Sequence, residues 1–128
     1  MAISTIFQTN DSNVSQTTIP NTSSNSQVDT VDVLTDRVIT GLAISTSYSG
    51  FRILLTVNVD ATTDTSETFD LLGTSDGSSW AMSQNSVQSV GGNTNITFSI
   101  DSSGQIKYTS TTTPGFVKRT LQWLKQVL

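Results

Sequence analysis

The chain contains no cysteine and no histidine, and only 12% of its 128 residues are charged. The absence of cysteine excludes disulfides, thiolate metal sites and cysteine nucleophiles. The absence of histidine removes the most frequent general base and the usual zinc ligand. A Ser-His-Asp triad is therefore impossible, and most hydrolase and metalloenzyme mechanisms are excluded. We expect a protein that is not an enzyme and that needs no cofactor.

Most of the polar residues carry small hydroxyl or amide side chains rather than charged ones. The sequence has 20 serines and 22 threonines, together 42 positions, and 8 asparagines with 8 glutamines add 16 more. Threonine suits strands because its branched Cβ fits a pleated surface. We therefore interpret the hydroxyls as the solvent face of strands rather than as ligand-binding groups.

The charge of the chain is unevenly distributed. The net charge is −4, which disfavours a basic surface for nucleic acid. Residues 1–101 carry ten acids and two bases, whereas residues 102–128 carry four bases and no acid. Opposite charge in the two parts of the sequence either steers contacts between copies or forms an ordinary solvated surface. No apolar run reaches the ~18 residues of a membrane helix, and the start lacks the basic and apolar segments of a secretory signal. We expect neither a nucleic-acid nor a membrane partner.

The first residues differ in composition from the rest. Residues 8–27 are almost entirely polar, and such a tract cannot bury enough apolar surface to offset its ordering entropy. We expect an extended polar arm over residues 1–29 and a β domain over residues 30–128. Three apolar residues precede the polar tract: Ile3, Ile6 and Phe7. This apolar tip either docks onto a neighbouring subunit or belongs to a disordered terminus.

From residue 30 onward the pattern is that of strands. The clearest is 51–60, where apolar and mostly polar residues alternate with period two. Further strands are expected at 30–34, 37–46, 67–74 and near 80–83, with a hairpin over 95–109 that turns at Asp101-Ser102-Ser103-Gly104. Strands at short spacing with turn residues between them predict an all-β fold, an antiparallel β-sandwich or a jelly roll. For residues 116–128 periodicity alone allows either helix or strand.

Two groups of residues are candidates for a site. The acidic residues Asp60, Asp64, Glu67 and Asp70 could gather Ca²⁺, but their spacing lacks the pattern of an EF-hand loop. An exposed acidic turn is the favoured reading, so no metal is expected. Trp80 and Trp123 could stack on sugar rings, although a tryptophan in a small β domain is more often part of the core.

Several short motifs follow one another in the second part of the chain: Ile39-Thr40-Gly41-Leu42, Phe51-Arg52, Leu71-Leu72-Gly73, Gly77-Ser78-Ser79-Trp80, Phe98-Ser99-Ile100, Gly104-Gln105, Tyr108-Thr109-Ser110, Gly115 and Thr120-Leu121-Gln122-Trp123. In this order they resemble a module that recurs in bacteriophage virion structural proteins, including tail and neck fibre proteins and particle-surface proteins. Relatives often carry Gly-Asp before the Phe-x-Ile strand, whereas residues 88–95 here contain no acid.

The resemblance implies a β-sandwich on the outside of a virion, commonly a homotrimer, and it favours a strand for the C-terminal segment. The expected role is a head decoration or cement protein, or a short neck or vertex fibre. Its partners would be further copies of itself and other virion proteins such as the major capsid or neck proteins. The alternative is a tail-fibre tip that binds a receptor or a host surface glycan. Fold alone does not decide between these roles.

Overall fold

The computed structural model describes residues 25–128, which form eight strands and no helix. The strands are β1 (Ser26–Asp29), β2 (Leu34–Ala43), β3 (Gly50–Asp60), β4 (Thr65–Ser75), β5 (Trp80–Val90), β6 (Ile96–Ile100), β7 (Gln105–Ser110) and β8 (Lys118–Val127). The predicted all-β class is confirmed. Within the described range there is accordingly no helix long and apolar enough to span a membrane.

The strands form two antiparallel sheets that pack as a sandwich. The large sheet has the order β1-β8-β3-β4-β5, and the small sheet has the order β2-β7-β6. β8 lies between β1 and β3 and pairs with both. The C-terminal segment is therefore a strand, as the resemblance implied, and Leu121 and Trp123 alternate inward from it.

The core is built around β3. Of the sixteen buried apolar residues within 25–128, five are the inward side chains of this strand: Phe51, Ile53, Leu55, Val57 and Val59. The alternation predicted for residues 51–60 thus describes the strand correctly. β4 and β8 flank β3 in continuous register and extend the same inward face.

Aromatic contacts join the two sheets across this core. The ring of Phe69 on β4 meets the ring of Phe98 on β6 edge-on, with centroids 5.1 Å apart. Edge-to-face pairs of this kind add to the burial energy of the rings. The contact fixes how the small sheet sits over the large one.

Side-chain amides close the first seam between the sheets. Gln27 on β1, an edge strand of the large sheet, donates its Nε2–H to the Val38 carbonyl of β2 at 3.1 Å. Its Oε1 accepts the Thr40 N–H at 2.8 Å. One amide thus satisfies two backbone groups of β2 that would otherwise need a neighbouring strand or water.

The opposite seam is closed in the same way. Gln84 on β5 donates its Nε2–H to the Ile96 carbonyl of β6 at 3.1 Å and accepts the Phe98 N–H at 2.8 Å. β5 and β6 are edge strands of their sheets. We refer to Gln27 and Gln84, with these four hydrogen bonds, as the glutamine clasps.

The hairpin between β6 and β7 turns where the sequence predicted. Gly104 has φ +87°, and a Cβ there would lie 1.9 Å from the Ile44 carbonyl oxygen, so both backbone conformation and space require glycine. The Asp101 carboxylate accepts hydrogen bonds from Ser103 and from the Gln105 N–H. These hydrogen bonds are the main reason why the pKa of Asp101 is lowered to about 2.

The structure departs from the sequence-based expectations at three places. Residues 26–29, assigned to the end of the arm, are paired with β8 in the large sheet. Residues 30–33 form a connection rather than a strand. β5 runs on to Val90, well past the short strand expected near 80–83. Its second half is exposed on both sides, so it lacks the alternation that marks a half-buried strand.

Replacing the clasp at Gln84 should destabilise the fold. Gln84→Leu leaves the Ile96 carbonyl and the Phe98 N–H without their partner, at an expected cost of about 1–3 kcal/mol in the free energy of unfolding. Gln88→Leu, at an exposed position on the same strand, is the matched control and should change stability little. Urea denaturation of both variants measures the difference. Equal effects of the two substitutions would contradict a clasp at Gln84.

Candidate assembly surface

The outer face of the large sheet exposes three leucines near its centre. Leu54, Leu72 and Leu124 are 40%, 44% and 43% exposed. Leu54 on β3 lies directly opposite Leu124 on β8. Leu72 on β4 is the diagonal neighbour of Leu54, because it pairs with Arg52 two residues earlier on β3. We call these three residues the leucine patch.

Hydroxyl and amide side chains continue the face beyond the leucine patch. The Thr56 and Thr68 hydroxyls on β3 and β4 are 3.0 Å apart and share a hydrogen bond. The Ser66 hydroxyl donates to the Asn58 Oδ1 at 2.6 Å. Gln122 on β8 is exposed opposite Thr56. These cross-strand hydrogen bonds fix the positions of the polar side chains on the outer face of the sheet.

The charges on this face balance. Arg52 donates from Nε and Nη2 to the two carboxylate oxygens of Asp70, at 3.0 Å each. Asp60 on β3 and Lys118 on β8 lie opposite each other at one end of the face. Two cations and two anions leave the outward side of β3, β4 and β8 with no net charge.

A cleft of about 400 Å³ opens at the end of the face that carries Asp60 and Lys118. Asn58, Asp64 and Val90 also line it. Its walls offer amide, carboxylate and ammonium groups, which are the groups that hydrogen-bond polar ligands. Neither Trp80 nor Trp123 lines this cleft.

The outer face of the small sheet is different in character. Val38 is the one large apolar side chain exposed on β2, β6 and β7, at 40%. Ser99 on β6 and Lys107 on β7 are typical of its remaining outward positions. The two outer faces of the sandwich therefore differ, and the apolar one belongs to the large sheet.

A buried polar network anchors the edge strand β1 to the rest of the fold. Asp29 is 5% exposed and accepts two hydrogen bonds from Arg37, at 3.1 and 2.8 Å. It also accepts the Tyr108 hydroxyl and the Gln27 amide. Burial by itself would raise the pKa of Asp29, but the hydrogen bonds from Arg37, Tyr108 and Gln27 outweigh it and hold that pKa below the usual 3.8.

Arg119 extends the network into the core. It is fully buried, and its guanidinium lies 4.8 Å from the Phe116 ring centroid and 5.5 Å from that of Tyr108. Nη2 donates to the Asp32 carbonyl at 3.1 Å. Within the described residues Nε has no hydrogen-bond partner. Burial and the hydrogen bond to Asp29 raise the pKa of Tyr108 to about 12, so this hydroxyl stays protonated and donates.

The four acidic residues considered for Ca²⁺ do not form a common site. Asp64 accepts the Ala61 N–H in its own turn, and Asp70 is paired with Arg52. Glu67 is buried and accepts hydrogen bonds from Ser86 and Thr94. Burial raises the pKa of Glu67, but these bonds and the Thr94 N–H outweigh it and lower that pKa overall. No group of three or more metal-ligating side chains occurs among residues 25–128.

The two tryptophans occupy different environments. Trp123 is 3% exposed in the core, so its ring has no face open to a sugar, which corrects the stacking role considered for it. Trp80 is half-buried at the start of β5 and rests against Phe51, with centroids 5.4 Å apart. Its Nε1–H has no partner within the described residues. A ligand-stacking role for Trp80 stays a prediction.

The apolar tip of the expected arm lies outside the described residues. Ile3, Ile6 and Phe7 precede residue 25, so their docking onto a neighbour stays a prediction. The polar chain that carries them leads into β1 at the edge of the large sheet.

Comparison with known proteins gives one structural likeness. No family model matches the chain, and no curated protein matches it. It is similar to the tailspike protein of Acinetobacter phage vB_ApiP_P1, at 22% identity and a TM-score of 0.49. The match covers 98% of this chain and 29% of the tailspike. A likeness at this TM-score carries no conclusion about function.

Acid should destabilise the fold through Asp29. Because its folded pKa lies below the unfolded value of about 3.8, the carboxylate stabilises the fold above about pH 4, and the effect is lost as pH falls through the folded pKa. Asp29→Asn should lower the free energy of unfolding by about 1–3 kcal/mol near neutral pH and flatten its acid dependence. Urea denaturation at about pH 7 and about pH 3 measures both effects.

Asp36→Asn is the control for that experiment. Asp36 is exposed on the neighbouring strand with φ +50°, a conformation that asparagine also tolerates. It should keep the wild-type stability near neutral pH. An Asp29→Asn protein as stable as Asp36→Asn would contradict a stabilising role for the network.

Proposed function

We propose that this protein is a non-enzymatic structural component of a phage virion, exposed on the particle as a head decoration or cement protein or as a short neck or vertex fibre. The observation that carries the proposal is the outer face of the large sheet. It combines a leucine patch with neutral hydroxyls, amides and balanced charges, which is the composition of a contact surface. The resemblance of residues 39–124 to modules of virion structural proteins is the reason for assigning this surface to a phage particle.

The roles of the acidic side chains support a structural function over a catalytic one. Asp29, Glu67 and Asp70 are each engaged by hydrogen bonds or an ion pair that stabilise the fold. A general acid or base must instead be free to exchange a proton with a substrate. Asp29, Glu67 and Asp70 therefore serve packing and pairing within the fold.

The assembly that we propose has two parts. The β domain packs against further copies of the chain, either as the homotrimer that the resemblance implies or as a face-to-face dimer. The arm, with Ile3, Ile6 and Phe7 at its tip, attaches the domain to the major capsid or neck proteins. A stretch of 24 residues reaches at most about 80 Å when fully extended, which is enough to cross a neighbouring domain of this size.

A second candidate function is a tip module that binds a host glycan or receptor. The cleft lined by Asn58, Asp60 and Lys118 favours it, because amide, carboxylate and ammonium groups match sugar hydroxyls. Trp80 is half-buried and lies at the opposite end of the β4–β5 pair, so a ring that stacked on it would bind outside this cleft. Such a tip would be present in few copies on each particle, whereas a decoration protein would be present in many.

Purified virions from the source lysate should contain this chain. Quantitative mass spectrometry against the major shell protein is the test. A copy number comparable to that of the shell protein is expected for decoration, and a small, definite copy number is expected for a neck, vertex or tail fibre. The small number would also favour the glycan-binding candidate. Absence of the chain from the particle would overturn the virion assignment.

Removal of the arm should abolish attachment while the domain still folds. A variant lacking residues 2–24 keeps β1 and both glutamine clasps, so its unfolding curve should match that of the full chain. Its recovery with particles in a pull-down should fall to background. A triple Ile3→Ser, Ile6→Ser, Phe7→Ser variant tests the apolar tip with the arm length preserved. Normal particle binding by the truncated chain would contradict the attachment role.

A further inference from the structure

We propose that the outer face of the large sheet, centred on the leucine patch, binds the same face of a second copy of this chain. The inference deepens the proposed function, on which its biological setting rests, by naming the partner of that face. The contact itself is a property of the purified protein. It is a sheet-on-sheet packing, for which aligned and orthogonal geometries are both common.

The size of the face suits a second copy. Four of its strands have ten or eleven residues, and strands lie about 4.8 Å apart with a rise of about 3.3 Å per residue. With the short β1 included, the face measures roughly 700 Å². A standard stable interface buries about 800 Å² on each partner. Two such faces therefore make a contact close to the usual size.

The composition of the face has the layout of an interface. Leu54 and Leu124 are adjacent and central, the internally paired Arg52 and Asp70 lie between Leu54 and Leu72, and Thr56, Asn58 and Gln122 continue the face on one side. Apolar side chains next to hydrogen-bonding groups that already have partners are common in protein–protein contacts. Each leucine is already about 60% covered in the single chain, so little side-chain freedom remains to be lost when a partner covers the rest.

The charges of the face allow it to meet its own copy. A patch of one sign would repel itself, but Arg52 is neutralised by Asp70 within each chain. Asp60 and Lys118 lie side by side at one end of the face. In a two-fold contact the same surface of both copies meets. A face without net charge is therefore not repelled by its own copy. The small sheet presents a single exposed valine and Lys107 instead, so it offers no comparable centre.

The free edge of β5 is the competing route to self-association. β5 has no charged residue and no proline along its eleven residues, and such edges can pair with other strands. However, the register between β4 and β5 shifts next to Phe69, leaving Val87 out of the ladder. Bulges of this kind twist an edge away from pairing. The geometry therefore favours contact through the face over contact through the edge.

Light scattering coupled to size exclusion tests the proposal on the full-length chain. The wild type should elute as an oligomer of the 13.7 kDa chain. Leu54→Arg should weaken self-association roughly tenfold or more, because it places like charges at the centre of the contact. Leu54 is 40% exposed in the single chain, so the arginine head group can reach solvent and the domain should fold. Leu54→Thr is a milder variant for the same test.

Val87→Arg is the matched control. Val87 is 59% exposed on β5, at the margin of the face and away from the leucine patch, and its substitution should weaken self-association far less than Leu54→Arg does. A monomeric wild type would overturn the proposal. So would an oligomer that resists both Leu54 variants, or one that Val87→Arg dissociates while Leu54→Arg does not. The last outcome would assign the contact to the β5 edge.

The absence of cysteine permits a second, independent measurement. A single cysteine in place of Gln122 lies on the proposed face, and one in place of Ser99 lies on the outer face of the small sheet. A short bis-maleimide should link Gln122→Cys chains into covalent dimers and leave Ser99→Cys chains unlinked. Equal linking of both, or linking of Ser99→Cys alone, would contradict the proposal.

The two proposals fail in different experiments. If the chain is absent from virions but Leu54→Arg dissociates the purified oligomer, the virion assignment is wrong and the contact stands. If the chain is abundant on particles but the Leu54 variants self-associate like the wild type, the proposed contact through the leucine patch is wrong and the virion assignment stands.

Discussion

Side-chain amides, rather than backbone pairing, close the sandwich at its two seams. Gln27 and Gln84 each satisfy one carbonyl and one N–H of the small sheet from an edge strand of the large sheet. The clasp at Gln27 also reaches Asp29, and through it Arg37 and Tyr108. A chain with only 34% hydrophobic residues thus supplements its apolar core with the half-buried glutamines and with the buried Asp29 and Tyr108, which hydrogen-bond within the fold.

The glutamine clasps at the two seams limit which surfaces of the protein can contact other molecules. The edges of the small sheet are occupied at the clasps by groups of the same chain, and the outer edge of β5 is distorted by the shift at Val87. Of the two outer faces that residues 25–128 present, that of the large sheet carries the leucine patch. Its leucines are not needed for the core, because the inward side chains of β3 are already packed against the small sheet.

The sequence predicted the parts of the fold that depend on local pattern. The alternation in β3 and the turn at Gly104 were recognisable, because periodicity and positive φ leave local signals. The second half of β5 was not, since its polar residues are exposed on both sides. The clasps join residues 11 and 14 positions apart on different sheets, and no local pattern marks such a bond. One signal of the assembly surface was present: Leu54 is the apolar residue on the otherwise polar side of the β3 alternation.

Electron cryomicroscopy of the assembled protein, on the particle or as the purified oligomer, tests the central claim most directly. The account predicts that neighbouring copies face each other through the large sheet, with Leu54, Leu72 and Leu124 covered together with the Arg52–Asp70 pair that lies between Leu54 and Leu72. A reconstruction in which these leucines face solvent, with copies joined through the small sheet or the β5 edge, would contradict it.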